Sequence, residues 1–307
     1  MDNSLLVVGS VAFDHVQTPA GERDESLGGS ATYFSYSASF FVPVKLVAVI
    51  GEDFPQKHID MLKKRNIDTT GLVRQPGKTF RWAGSYMQNL NEAETLSTEL
   101  NVFENFKPEL PESYKDTPYV FLANINPELQ LDVLNLTRSP KFVACDTMNL
   151  WINYKKPQLI KLLGKIDLIV LNDAEAKMLT ESDNIIKAAR AIQSYGPKSV
   201  VVKKGEHGAL LVHGDDIFTV PAYPLETVVD PTGAGDTFAG GMLGYICKSG
   251  KTDTMTLKKA MAYGTVMASF NVQDFSMNNL FGLTEHAIEE RLQDLIRKSS
   301  LHEFVNR

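Results

Sequence analysis

The chain has 307 residues, of which 43% are hydrophobic and 22% charged, and its formal net charge is −6. A chain of this size and composition can bury about three quarters of its unfolded surface, which excludes a disordered or fibrous protein. The net negative charge argues against a nucleic-acid partner, because nucleic-acid binders usually carry clustered Lys and Arg. Two cysteines are too few for a disulfide framework or a zinc cluster, so we expect a reducing, cytoplasmic location.

Short apolar runs rich in β-forming residues recur along the chain. The first run follows a start that lacks the basic region and long apolar segment of a signal peptide. No run reaches the length of a membrane span, so no membrane partner is expected. Continuous runs of this kind predict strands that are buried on both faces of a parallel sheet. The predicted strands cover residues 5–8, 44–49, 119–123, 142–144, 168–171 and 199–202.

Segments with the helical period separate these strands, and their alternation predicts a mostly parallel sheet with helices on both sides. Residues 11–28 and 77–90 are instead punctuated by glycine and alternate apolar with polar residues, which predicts a small accessory sheet, or lid. We therefore expect one domain over residues 1–307, a three-layer α/β/α structure into which the lid strands are inserted. The predicted helices cover residues 30–41, 55–64, 127–136, 175–180, 185–195, 233–247, 256–270 and 284–298, and a hairpin is predicted at 209–212 and 217–220.

The segment that carries chemistry is residues 230–236, with the sequence DPTGAGD, followed by an apolar stretch. Its small residues let backbone approach a ligand closely, and free N–H groups at a helix start form an anion site together with the helix dipole. The acid at this site, Asp236, has two explanations. It caps the helix, or it accepts the proton of a hydroxyl placed in line with a terminal phosphate. The spacing alone favours neither explanation.

Residues 230–243 resemble the C-terminal signature of the PfkB, or ribokinase-like, carbohydrate and nucleoside kinases. The resemblance implies a ribokinase-like fold and an ATP-dependent transfer of the γ-phosphate to a hydroxyl of a sugar or nucleoside, expected to be a primary one. It implies that Asp236 is the general base and that residues 233–235, which are Gly233, Ala234 and Gly235, form an anion hole. Mg²⁺ is the expected metal, and Asp230 and Thr232 are candidate ligands of a monovalent cation such as K⁺.

Two further motifs are similar to the nucleotide side of this family. Asn172 and Glu175 follow a predicted strand and match Asn-x-x-Glu; they share one helix face, so they can organise water around a Mg²⁺ bound to phosphates. A helix-capping arrangement is the alternative for this pair. After the next strand, Gly205 and Gly208 match the two glycines that bring backbone near ATP, and Lys203 can contact phosphate as a point charge.

The acceptor side is predicted near the N-terminus. Asp14 follows the first strand and resembles the family's acidic residue that holds substrate hydroxyls, and Gly28 and Gly29 match the double glycine before the first long helix. Tyr33 stands where relatives commonly have an Asn that hydrogen-bonds the sugar. Tyr33 therefore affects the identity of the small-molecule acceptor, a sugar or a nucleoside, more than the activity itself.

Aromatic side chains cluster in the predicted lid and at the pocket mouth. Packing between the lid and the first helix is one explanation for them. The other is a stacking surface for a base, which would favour a nucleoside over a bare sugar. These residues are Phe13, Tyr33, Phe34, Phe80, Trp82 and Tyr86.

Two functions other than catalysis stay open on the sequence. The first is a non-catalytic ribokinase-like protein that binds a sugar or nucleoside for regulation, although the intact Asp236 and residues 233–235 weigh against it. The second is a structural subunit, because unpaired edge strands of a lid can pair between protomers and produce a homodimer.

Overall fold

A computed structural model describes residues 3–299. Within that range the chain forms thirteen strands and eleven α-helices. The strands are β1 (Leu5–Val8), β2 (Ala12–Thr18), β3 (Gly21–Gly28), β4 (Val44–Ile50), β5 (Ile67–Arg74), β6 (Phe80–Ser85), β7 (Glu94–Glu99), β8 (Tyr119–Leu122), β9 (Phe142–Asp146), β10 (Leu168–Asn172), β11 (Ser199–Lys203), β12 (Ala209–His213) and β13 (Asp216–Val220).

The helices fall between and after these strands, together with three short 3₁₀ helices at Asn101–Phe103, Glu112–Tyr114 and Gly205–His207. No helix among residues 3–299 is long and apolar enough to cross a membrane. The α-helices are α1 (Ser30–Ala38), α2 (Gln56–Lys64), α3 (Pro127–Leu136), α4 (Asn149–Tyr154), α5 (Lys156–Leu163), α6 (Asp173–Thr180), α7 (Ile185–Gln193), α8 (Ala234–Ser249), α9 (Thr254–Asn271), α10 (Asn278–Phe281) and α11 (Glu285–Ser299).

Nine strands form one large sheet in the order β13-β12-β11-β10-β9-β8-β1-β4-β5. The seven strands from β11 to β5 in this order run parallel, and the β12-β13 hairpin adds two antiparallel strands at one edge. Because seven neighbouring strands point the same way, their carboxyl ends share one edge of the sheet. Loops that carry functional residues are brought together at that edge.

Alternate residues of the strands enter two separate cores, one on each face of the sheet. In β1, Leu5 and Val7 pack in the first core, whereas Leu6 and Val8 pack in the second. Helices α1, α2, α8, α9 and α11 bury apolar residues in the first core, and α3, α5, α6 and α7 bury theirs in the second. The prediction of a three-layer α/β/α fold is therefore confirmed.

The lid is a separate four-stranded sheet with the order β3-β2-β6-β7. Strand β7 lies beyond the predicted lid stretch of residues 77–90 and extends the lid. All six residues of β7 and the first five of β3 are exposed, so both edges of the lid face solvent. A homodimer through these edges stays a prediction of the sequence. We call residues 86–93, which join β6 to β7, the lid loop.

The base of the lid is tied to the large sheet at Thr79. The Asp53 carboxylate accepts hydrogen bonds from the Thr79 N–H and hydroxyl, at 2.8 and 2.6 Å, and the Thr79 hydroxyl oxygen accepts one from the Gly51 N–H. Arg81, two residues further on, forms an ion pair with Asp53 at 3.2 Å. These bonds hold the lid over the carboxyl edge of the sheet.

Candidate active site

Three neighbouring parallel strands end in polar side chains. Asp146 ends β9, Asn172 ends β10 and Lys203 ends β11, and these strands are adjacent in the large sheet. The apolar residues before them are buried, so each strand changes from apolar to polar side chains at the same edge of the sheet. The edge therefore presents a carboxyl group, an amide and an ammonium group to the same cleft.

Helix α8 begins at this cleft. Gly233 is its N-cap residue, with a φ angle of 70° that favours glycine, and no side chain caps the helix. The Ala234 N–H donates to the Pro231 carbonyl at 3.1 Å. The N–H groups of Gly233 and Gly235, together with the helix dipole, are left to favour an anion at this helix start. Asp236 lies in the first turn and is not the N-cap residue, and its carboxylate accepts a hydrogen bond from its own N–H.

Asp236 and Asp146 form a hydrogen-bonded carboxyl pair, although 90 positions separate them in the chain. Burial raises the pKa of Asp236 to about 6, against the opposing effects of the Lys203 ammonium and the hydrogen bond from Asp146. Burial and the charge of Asp236 raise the pKa of Asp146 well above its usual range. Asp146 thus keeps its proton and donates it to an ionised Asp236 near neutral pH.

Lys203 lies against the anion hole. A Cβ added at Gly235 would lie 2.6 Å from the Lys203 Nζ, so the ammonium occupies the space above this glycine. Its charge also lowers the pKa values of Asp146, Glu175 and Asp236. A cation surrounded by three carboxyl groups at a helix N-terminus is well placed to bind a phosphate as a point charge.

Asn172 and Glu175 form a capping box at the start of α6. The Glu175 N–H donates to the Asn172 Oδ1, and the Asn172 N–H donates to the Glu175 Oε2, both at 2.7 Å. The capping box therefore uses the single side-chain oxygen of Asn172 and one of the two carboxylate oxygens of Glu175. Burial raises the pKa of Glu175, with Lys203 opposing the shift, and its Oε1 takes no part in the box.

Asp14 lies on the opposite side of the cleft, at the start of the lid. A Cβ at Gly28 would lie 1.9 Å from its carboxylate, so only glycine leaves room for this acid. Asp14 is 4% exposed, and burial, followed by the charges of Asp230 and Asp236, raises its pKa to about 8. A hydrogen bond from the Gly29 backbone opposes that shift. Asp14 is thus near enough to residues 230–236 for two of their carboxyl groups to affect its pKa.

Two tyrosines border these carboxyl groups. The Tyr33 ring covers Gly233, where an added Cβ would lie 2.4 Å from ring carbons. Its hydroxyl is buried near Ser276 without a hydrogen bond of normal geometry, and burial and the charges of Asp14 and Asp230 raise its pKa. Tyr86, at the start of the lid loop, has its pKa raised by burial and faces Thr232. An unsatisfied buried hydroxyl beside Asp14 is suited to a polar ligand.

Asp230 and Thr232 serve internal hydrogen bonds. Asp230 Oδ1 accepts from the Thr232 N–H at 2.8 Å and Oδ2 from the Ser276 N–H at 2.9 Å, while the Thr232 carbonyl accepts from the Asn271 amide at 2.9 Å. These hydrogen bonds fix the segment that precedes α8. The K⁺ site at Asp230 and Thr232 and the K⁺ requirement stay predictions of the sequence.

A cavity of about 560 Å³ opens beside the anion hole. Its lining includes Asn172, Lys203, Gly205, Gly208 and Gly235. The cavity thus connects the predicted phosphate-binding residues with a largely apolar space, which suits a purine base. The apolar lining includes Leu90, Ala222, Tyr223, Leu225, Val228, Phe238 and Val272.

Most of the clustered aromatics are packing residues. Phe34 stacks on Phe121 in the first core, with ring centroids 3.9 Å apart, and Phe80 stacks on Phe103 at 5.3 Å. Phe13 packs against Phe54. These contacts support the packing explanation for Phe13, Phe34 and Phe80.

Trp82 covers Gly84 on the lid, where an added Cβ would meet its ring at 2.1 Å. Tyr33 and Tyr86 are the aromatics that border the acceptor carboxyl groups. Packing therefore accounts for Phe13, Phe34 and Phe80, whereas Tyr33 and Tyr86 remain candidates for contact with a ligand.

Asp146 was missed by the sequence reasoning. It directly follows the apolar run at residues 142–145, just as Asn172 follows residues 168–171, so an acid after a buried strand was the available signal. The contact of Asn91 with the Gly205 loop was also missed. It has no local signature, because it depends on how the lid folds back over the cleft.

An anion site at a buried helix start, an ionised carboxylate beside it and a nucleotide-sized cavity define a phosphotransferase site on an α/β fold. The pfkB family carbohydrate kinases match residues 2–281 of this sequence. The chain therefore belongs to the pfkB family, and it is a sugar or nucleoside kinase.

Individual relatives agree with this assignment. The chain is 32% identical to the cytidine kinase of Thermococcus kodakarensis over 248 residues, which cover 78% of this chain and 88% of the relative. It resembles the nucleoside kinase of Methanocaldococcus jannaschii, an archaeal member of the ribokinase family, with a TM-score of 0.77, 21% identity, and coverage of 95% and 98%. The ribokinase of Cryptococcus neoformans in complex with ADP has a TM-score of 0.76 and 22% identity, with coverage of 94% and 99%.

Proposed function

We propose that this kinase transfers the γ-phosphate of ATP to a primary hydroxyl of a nucleoside, with Asp236 as general base and the N–H groups of residues 233–235 as the anion hole. The carboxyl pair is the observation that carries the proposal. Asp146 holds its proton and leaves Asp236 ionised at the start of α8, where a base for a hydroxyl is needed. An acid with a pKa of about 6 is matched to work near neutral pH.

In the proposed step, the acceptor O–H bond breaks and its proton moves to the Asp236 carboxylate, while the acceptor oxygen forms a bond to the γ-phosphorus. The bond from that phosphorus to the bridging oxygen breaks, and ADP leaves. The N–H groups at the start of α8 and the Lys203 ammonium stabilise charge on the transferring group, which is where phosphotransferases gain most of their rate.

ATP is proposed to occupy the cavity beside the anion hole. The volume of this cavity, about 560 Å³, lies in the range of small-molecule sites, and the apolar lining suits the adenine ring. Lys203, Gly205 and Gly208 would face the phosphates. The ribokinase of Cryptococcus neoformans, which shares this fold, is a complex with ADP and supports a nucleotide as the ligand.

Mg²⁺ is proposed to be held on the phosphates through water by Glu175 and Asn172. The free Oε1 of Glu175 fits a hard cation that prefers oxygen ligands. When bound, the ion would neutralise phosphate charge. The capping box fixes the Glu175 side chain, so this chain supplies a preset carboxylate oxygen at that position.

Replacing Glu175 by Gln is expected to raise the Mg²⁺ concentration for half-maximal rate while leaving the KM of the acceptor unchanged. The amide keeps the size of the side chain but removes the charge that attracts a hydrated cation. Titration of initial rate with Mg²⁺ measures the effect, and calorimetric binding of ADP with and without Mg²⁺ gives an independent readout. An unchanged Mg²⁺ dependence in both measurements would remove Glu175 from the metal site.

A nucleoside is favoured over free ribose as the acceptor. The similarity to a cytidine kinase supports this preference, as does Tyr33, which fills the space against Gly233 with a ring in place of a short amide. Asp14 would bind ribose hydroxyls, since its buried carboxyl group can both donate and accept near neutral pH. The nucleobase of the acceptor would then contact the side of the cleft that the lid covers.

Tyr33→Asn is expected to change the ranking of acceptors in favour of ribose. The shorter amide opens space at Gly233 and offers a donor to a ring hydroxyl, and one neutral hydrogen bond is worth about 0.5–1.5 kcal/mol, a factor of about 2 to 13. Comparison of kcat/KM for ribose and a panel of nucleosides in both proteins measures this change. If ribose is already the best acceptor of the wild type, or if the ranking does not move, Tyr33 is only a packing residue.

Measurement of ADP formation over a panel of pentoses, hexoses and nucleosides tests the proposed function. We expect turnover with at least one nucleoside. The alternative, a regulatory protein that binds the same ligands without turnover, predicts a raised melting temperature with ligand and no ADP. That outcome would overturn the proposal.

A further inference from the structure

A second cavity, which we call the C-terminal cavity, lies between α9, α10 and α11. Its volume is about 460 Å³, in the range of small-molecule sites, and it has no lining residue in common with the nucleotide cavity. The lining comes from the stretch that runs from the end of α9, through α10, to the second turn of α11. It consists of Phe270, Gln273, Asn278, Asn279, Gly282, Leu283, Thr284, Ala287 and Arg291.

The polar side chains of this lining are mostly hydrogen-bond donors. Arg291 brings a positive charge, and among residues 3–299 no Asp or Glu lines the cavity. Gln273 accepts a hydrogen bond from Arg291 Nη1 through its Oε1 at 2.7 Å, which leaves its Nε2 as a donor. The C-terminal cavity therefore presents a cation and an amide N–H₂ group without an acid to neutralise them.

The Arg291 guanidinium is held in place with most of its donors unused. It stacks on the Phe270 ring, with Cζ 3.4 Å from the ring centroid, and Nη1 also donates to the Ser269 hydroxyl at 3.1 Å. Within residues 3–299, Nε and Nη2 donate no hydrogen bond to another side chain or to backbone. Their three N–H groups form a planar fork that matches the oxygens of a phosphate or carboxylate group.

No carboxylate in the part of the chain that the structure describes forms an ion pair with Arg291. Asp294 is the nearby acid whose charge acts on it, but Asp294 is engaged by Arg297, Lys298 and the Tyr223 hydroxyl. Burial lowers the pKa of Arg291, because its charge is removed from water without full compensation. A bound anion would supply the missing counter-charge.

We propose that the C-terminal cavity binds a small molecule through an oxyanion, a phosphate or carboxylate group, with the Nε and Nη2 groups of Arg291 as its charged contact and Gln273 Nε2 as a neutral donor. This site is separate from the active site. Arg291 lines the C-terminal cavity, whereas its partner Ser269 lines the nucleotide cavity on the other side of α9. The proposal therefore does not rest on the proposed function.

Calorimetric titration with inorganic phosphate, and separately with succinate, tests the site and distinguishes the two kinds of oxyanion. The protein used is Lys203→Met, because Lys203 lies at the anion hole and would attract the same probes there. We expect at least one probe to bind, and the probe with the lower Kd identifies the anionic group. Adding Arg291→Met should raise that Kd about 10-fold or more, the effect of losing charge-assisted hydrogen bonds.

Arg297→Met in the same background is the matched control. Arg297 lies on the same helix, and its replacement changes the net charge equally, but it does not line the cavity. Its Kd for the probe should equal that of Lys203→Met alone. A rise of the Kd in both variants would mean that the probe senses only the net charge of the surface, which would overturn the proposal.

Hydrogen exchange of the wild type, with and without the probe at equal ionic strength, gives a readout that needs no variant. Two lining residues report on the cavity, since the Leu283 N–H donates to the Leu280 carbonyl and the Ala287 N–H to the Thr284 hydroxyl, both at 3.2 Å. We expect the probe to slow exchange of residues 278–291. Unchanged exchange there with both probes, loss of binding in Lys203→Met alone, or an unchanged Kd in Arg291→Met would each overturn the proposal while leaving the kinase function intact.

Discussion

Asp236→Asn is expected to lower kcat by about 10²- to 10⁴-fold, the usual cost of removing a general base. The amide has nearly the same size as the carboxylate and can still accept a hydrogen bond from Asp146, so the fold should persist. It cannot take up the proton of the acceptor hydroxyl. Initial rates at saturating ATP and acceptor, together with the melting temperature, measure the two expectations separately.

Asp253→Asn is a matched control for this variant. Asp253 also lies at a helix start, but it is a true N-cap that accepts from the Thr256 N–H at 3.0 Å, and Asn is an equally good cap. The control should keep both its rate and its stability. Wild-type kcat in Asp236→Asn would show that this acid is not the base.

Lys203→Met is expected to lower kcat by about 10²- to 10³-fold, as removal of one group that stabilises a developing charge does. The change should also move the pH profile. In the wild type, kcat/KM should fall as the pH drops through about 6, because Asp236 gains a proton there. Since Lys203 lowers that pKa, its removal should shift this acidic limb to higher pH.

Lys204→Met is the control. Lys204 is next in the chain but does not line the nucleotide cavity, so this change should leave both kcat and the acidic limb of the pH profile unchanged. The pH profile separates an electrostatic role from a structural one, because a merely misfolded fraction lowers the rate equally at every pH. A large loss of kcat with an unmoved limb would contradict the proposed contact between Lys203 and Asp236.

The buried strands were predictable because a parallel sheet covered on both faces imposes continuous apolar runs. The runs at 5–8, 44–49 and 168–171 match β1, β4 and β10 to within one residue. Strand β5 was missed because it is the edge strand of the large sheet, where polar residues such as Asp68 and Thr70 interrupt the run. Strand β7 is exposed at every residue, so burial imposed no pattern on it.

The candidate site was predictable where one short segment carries it. Residues 233–236 follow from the chemistry of a helix start, and Lys203 does lie beside them. The Asp146–Asp236 pair was not predictable in this way, since it depends on the order of strands in the sheet and on where α8 crosses their ends. Contacts between distant segments leave no period or spacing in a sequence.

The most direct test of the central claim is to isolate the product formed from ATP and cytidine, and from the other nucleosides of the panel, and to locate the new phosphate by phosphorus NMR. The account predicts a phosphomonoester at the primary hydroxyl of a nucleoside, formed in a one-to-one ratio with ADP. ADP released without a phosphorylated nucleoside, or no ADP with any nucleoside of the panel, would contradict it.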